Sequence, residues 1–116
     1  RFAKKLEPYK DNKNKEVESL LLFVVDMIKR SIKSYTDKNI DLANEVIADD
    51  DYVDARYLEI IESIAAKKDG DAKYLQFAIL TTLVIKYLER IADHSVNIAE
   101  WVVYIQSGYY KDKMIM

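Results

Sequence analysis

The chain has 116 residues, half of them hydrophobic and a third charged, with two glycines, one proline and no cysteine. That length builds one core and not two. The scarcity of helix breakers points to long helices, and the missing cysteines exclude disulfides, thiolate metal sites and a cysteine nucleophile while suiting a reducing cytoplasm.

The formal net charge of −2 hides an uneven spread. Residues 1–40 carry ten Lys and Arg against six Asp and Glu, whereas residues 41–62 carry one Arg against eight acids. Such an acidic block repels nucleic acid and suits cations or a basic partner, or simply forms a solvated helix face. The chain starts at Arg1 and not at Met, which predicts a piece of something longer. Its longest apolar run, Leu20 to Val25, falls well short of the ~20 residues that span a bilayer, and no signal-peptide pattern opens it.

After a basic opening, "EVESLLLFVVDMIKRSIKSY" spaces Val17, Leu21, Val24, Ile28 and Tyr35 in steps of four and three, with Ser31 in the remaining slot. That is the period of an amphipathic helix in a bundle. "YTDKNI" supplies turn residues, of which Asp37 or Asn39 can cap the next helix. In that helix the same rhythm reads Ala43, Ile47, Asp50, Asp54, Tyr57, Ile61, Ile64, so aspartates fall where apolar residues belong. "KKDGD", Lys67 to Asp71, breaks it, with Gly70 suited to the position past a helix end and Asp71 to capping the third helix.

The closing helix offers two neighbouring apolar stripes. One runs Leu75, Ala78, Thr82, Ile85, Glu89, Ala92, Val96, Ala99, Val103; the other Leu80, Val84, Leu88, Ile91, Ser95, Ile98, Val102, Ile105. Both are buried within one bundle, or one is left for a partner domain or a second copy. The pattern predicts helices over about 14–36, 39–68 and 72–107 in a single domain spanning 1–116. Short connections make neighbours antiparallel, giving an all-α antiparallel three-helix bundle.

Glu89 and Asp93 are one turn apart and share a helix face; Asp50 and Asp54 repeat the spacing on the preceding helix. The two pairs lie at matching distances from Gly70, so antiparallel packing brings four carboxylates to one level. Like charges held together raise one another's pKa values and call for positive charge. Arg56 and Arg90 could supply it in an ion-paired network; otherwise a multivalent cation does, since oxygen-rich sites suit Mg²⁺, Ca²⁺, Mn²⁺ or iron.

The Glu-x-x-His pattern of di-iron bundles is missing, because Ile91 stands three residues before His94, the sole histidine. His94 reads as a surface or packing residue. Ser95 points ~100° away from it and forms no nucleophile–base pair. Two glycines make no phosphate cradle, and no basic recognition helix is present for DNA. Tyr52, Tyr57, Tyr74, Tyr87 and Tyr104 read as packing residues, and Trp101 as a cap on the core. No catalytic or organic-cofactor residues are assigned.

"YLERIADHSVNIAEWVVYIQSG", Tyr87 to Gly108, resembles the closing helix of a PhoU repeat, and "DLANEVIADDDYVDARYLEI", Asp41 to Ile60, its middle helix. The likeness covers nearly all of the chain from Glu16 on. Ala92 stands where the family commonly has Gly. Proteins of this family pair two three-helix repeats, which makes this chain resemble one repeat, the C-terminal half, with a second repeat or a homodimer partner against the spare stripe.

The resemblance implies that Asp50 and Asp54, with Glu89 and Asp93, form the family's two E/D-x-x-x-D metal motifs, for iron or zinc first and manganese or magnesium next. It also implies a cytoplasmic, non-enzymatic regulator of phosphate uptake and phosphate-starvation signalling. Such a regulator acts between the phosphate ABC transporter and a sensor histidine kinase, and so on transcription, and reaches the membrane only through partners. Two other readings remain: a PhoU-like regulatory domain of a transporter or other membrane protein, and, more remotely, a metal-dependent hydrolase.

Overall fold

The structure, a computed structural model, describes residues 12–66 and 71–107. Three helices account for them: α1 Asn12–Asp37, α2 Ile40–Ala66 and α3 Ala72–Gln106. Each packs against the other two, and no strand occurs among the described residues. The all-α three-helix bundle expected from the periodicity is borne out. None of these helices is long and apolar enough to cross a membrane.

The α1–α2 connection is two residues, Lys38 and Asn39. Lys38 takes the left-handed conformation at φ 54, which lets its amide donate to the Tyr35 carbonyl at 3.3 Å and the Asn39 amide to the Ser34 carbonyl at 2.9 Å. This pair of bonds closes α1 in the Schellman manner. Asn39 then opens α2, its Oδ1 accepting from the Leu42 amide at 3.0 Å. Asn39 is therefore the cap, while Asp37 instead pairs with Lys33 at 2.9 Å.

Asp71 caps α3 from extended backbone, its Oδ1 accepting from the Tyr74 amide at 2.7 Å. The remaining residues assigned to that break, Lys67 to Gly70, lie outside the described residues. The buried Tyr74 hydroxyl donates to the Ile64 carbonyl at 2.9 Å. That bond serves one of the orphan carbonyls at the end of α2 and sets the register of the α2–α3 hairpin.

The buried lines differ from the stripes expected. On α1 the core takes Leu20, Val24, Met27, Ser31 and Ser34, while Leu21 is 43% and Tyr35 57% exposed. Apolar residues occupy both 20/27 and 21/28, and the pattern of one helix does not say which line faces two neighbours at once. On α2 the core takes Ala43, Val46, Val53, Ile60 and Ile64, with Ile47, Tyr57 and Ile61 packed against it. On α3 it runs Tyr74, Phe77 and Thr81, which neither expected stripe contained, then Ile85, Leu88, Ala92, Ser95, Ala99 and Val102, drawn alternately from both. Steps of three and four keep a straight contact line only if they alternate.

Trp101 does not cap the core: it is 53% exposed and tilts against Tyr104 with ring centroids 5.4 Å apart. Tyr87 and Tyr52 are exposed too, the latter against Phe23 at 4.4 Å.

Side-chain size grades along the bundle. Near the α1–α2 turn the core is small: Ser31, Ser34, Ala43, Ala92, Ser95 and Ala99 are all buried. The serine hydroxyls are satisfied within their own helices, Ser31 by the Ile28 carbonyl at 2.8 Å, Ser34 by Ser31 at 2.7 Å and Ser95 by Ile91 at 3.2 Å. At the α2–α3 end Leu20, Ile60, Tyr74 and Phe77 fill the core.

Candidate functional site

Register determines which polar groups meet across α2 and α3. Across the seam Asp50 feels the charge of Asp93 more than that of Glu89, and Glu89 feels Asp54 first, so the two i,i+4 pairs face each other as Asp50 with Asp93 and Asp54 with Glu89. Asp50, Asp54 and Glu89 are half-buried on the flank of the seam, and Asp93 is exposed beside them. Asp50 and Asp54 thus border the core rather than interrupt it; Val46, Val53 and Ile60 hold the buried line.

The four acids act on one another. Burial pushes the Asp50 carboxyl above the ordinary aspartate range, and the charges of Asp54, Asp93, Asp51 and Glu89 add to the push in that order. Burial likewise raises Glu89, then Asp54 and Asp93, with Lys86 drawing it partly back. One Asp50 oxygen, Oδ1, is buried without a hydrogen-bond partner.

Neither arginine the sequence offers as counter-charge pairs with this group. Arg56 binds Glu59 on its own helix, and Arg90 makes no ion pair among the described residues. The ion-paired network is therefore not formed. His94 is exposed.

Among the described residues no three His, Cys, Asp or Glu side chains gather closely enough to hold a metal ion. The acids meet through their fields and do not converge on one coordination point. Their donor chemistry, oxygen only with one orphaned buried carboxylate oxygen, is that of a hard-cation ligand set; their spacing does not gather three of them on one ion.

This arrangement has a signed consequence for stability. Unfolded, Asp50 and Glu89 lose their protons in the ordinary carboxylate range, about 3.9 and 4.3; folded, they keep them to higher pH. The folded state binds more protons in that window, so their contribution to stability is fully present below it and is lost as pH rises through the raised values. With chelator present, Asp50→Asn is expected to raise the urea midpoint at neutral pH, the gain over the parent vanishing below about pH 4. A gain that persisted in acid would refute the electrostatic origin.

Sequence reasoning missed Arg30; Asp26, one turn before it in α1, was the local signal that could have found it. Its side chain is 20% exposed and reaches Asp49 on α2 at 2.5 Å, Asp26 at 2.7 Å and Glu45 at 3.8 Å. Desolvation works against its charge, but the hydrogen bonds it donates to Asp49 and Asp26, with their negative charge, outweigh it and raise its pKa.

Residues 17–102 match the family described as the PhoU domain. Similar curated proteins include the phosphate-specific transport system accessory protein PhoU homolog of Clostridium acetobutylicum, 34% identical over 98 residues, covering 84% of this chain and 45% of the relative. The homolog of Synechocystis is 31% identical, covering 80% and 41%, and PhoU homolog 1 of Thermotoga maritima is 25% identical, covering 81% and 40%. The chain spans less than half the length of these relatives. No solved structure matches it.

Proposed function

Because the chain belongs to the PhoU domain family, we propose that it is a non-enzymatic helical regulator of phosphate uptake, coupling a phosphate-specific transport system to the sensor kinase that governs phosphate-starvation transcription. The observation that carries this reading is the family match over residues 17–102, with relatives named as accessory proteins of phosphate-specific transport.

A regulator of this kind works through surfaces. The ridge of Leu75, Ile79, Leu83 and Tyr87 along α3 is exposed, at i,i+4 spacing on one face. A second three-helix bundle, supplied by another repeat or another copy of the chain, would cover it. A regulatory domain borne by a transporter is the alternative reading, served by the same surfaces.

Asp50, Asp54, Glu89 and Asp93 would hold a multivalent cation, iron or zinc first. The orphaned Asp50 oxygen and the mutual repulsion of the acids support this. The ion would supply the positive charge that Arg56 and Arg90 do not. Sites poor in imidazole and thiolate also favour harder ions such as manganese or magnesium.

Two measurements test these statements separately. In a phosphate-replete cell lacking its own PhoU protein, this chain should lower a phosphate-starvation reporter; an unchanged reporter would remove the regulatory role. Glu89→Ala with Asp93→Ala should strip most of the iron, zinc or manganese found by elemental analysis, with helicity preserved. Equal metal content in variant and parent would sink the cation site.

A further inference from the structure

We infer that the furrow between α1 and α3, toward the α1–α2 turn, is a docking groove for an amphipathic helix of a partner protein that carries acidic residues along the edges of its apolar face. The inference rests on the adaptor role above and gives the partner's chemistry. Its floor is a shallow, open depression of about 530 Å³ lined by Ile32 and Tyr35 from α1 and Asn97, Ile98 and Trp101 from α3. Beyond Tyr35 a second depression of about 390 Å³ continues it past Lys38.

The size lies within the range of specific binding clefts, the lining is apolar apart from Asn97, and Trp and Tyr are the residue types that anchor interfaces. A concave apolar channel between two parallel helices takes one row of helical side chains at i, i+3, i+4 and i+7.

Charge decides among occupants. Lys29 sits one turn before Ile32 and Lys33, and Arg90 begins the i,i+4 line that leads through His94 toward Trp101. Lys29, Lys38 and Arg90 make no ion pair among the described residues. The α1 acids nearest to it, Asp26 and Asp37, are paired with Arg30 and Lys33, and most of the other acids lie on α2 and on the α2–α3 flank. A second copy packed isologously would set these cations against themselves. An anionic bilayer matches their sign but is flat on this scale and leaves the furrow unfilled.

Trp101 is the only tryptophan in the chain, so its emission reports on the groove directly. Titration with a tryptophan-free amphipathic peptide of Leu, Ala and Glu, about five helical turns long, should shift that emission to the blue, saturably and less strongly at high salt. Lys29→Glu with Arg90→Glu, both exposed positions, should keep the helical spectrum, weaken this peptide about tenfold or more, and improve binding of the same peptide with Lys in place of Glu.

Four results would each overturn the inference: no saturable shift, indifference to peptide charge, an equal shift on phosphatidylserine vesicles, or a shift produced by concentrating the chain alone. Loss of phosphate control in cells would remove the adaptor role and leave peptide binding intact, so the two failures are distinguishable.

Discussion

Ile85→Ala is expected to lower the stability of the bundle by about 2–5 kcal/mol, the usual cost of emptying a well-packed aliphatic site. Ile85 is fully buried on α3. It belongs to the same core as Val53 and Ile60 of α2, which are equally buried. The layer sits between the bulky end of the core and the narrow one, and how far its neighbours close in sets where in that range the cost falls. In a domain of this size such a loss lowers the melting temperature by ~10 °C or more. Urea denaturation should show a reduced midpoint with an unchanged slope; a change below about 1 kcal/mol would mean that the site relaxes and that the core is looser than its burial implies.

Arg30→Ala should cost about 2 kcal/mol, in the range for hydrogen bonds to charged groups. Most of this comes from Asp49, which at 29% exposure is the most protected of the three partners and would be left without its cation. Asp26 and Glu45 are well exposed and contribute little. Arg30→Lys should fall between, because an ammonium keeps the charge and loses the planar fork that reaches several carboxylates at once. A midpoint equal to the parent's in Arg30→Ala would show that the contact is screened and that apolar packing alone joins α1 to the acidic helix.

The three helices were legible because sparse glycine and proline and steps of three and four leave little else for such a chain to form. The two caps at Asn39 and Asp71 were legible too, since each depends on its own short side chain and nearby amides. The acids' mutual influence followed from counting residues to either side of the loop.

What stayed hidden depends on the third body. Which of Leu20 and Leu21 is buried, and that Trp101 faces outward, is decided by the angle at which α1 and α2 each meet α3. Arg30 escaped notice for the same reason: its partners at Glu45 and Asp49 lie on another helix, at a distance in sequence that local spacing does not encode. Of the two alternatives for offsetting the acids, the one through Arg56 and Arg90 is not met: Arg56 turns along its own helix to Glu59, and Arg90 pairs with none of them.

The connection through Lys38 and Asn39 has no slack. Asn39 serves both helices at once: its amide closes α1 on the Ser34 carbonyl and its side chain opens α2 at the Leu42 amide. Inserting a single residue there would divide those two tasks between two positions. A longer link would then have to supply a second residue able to do half of what this asparagine does alone.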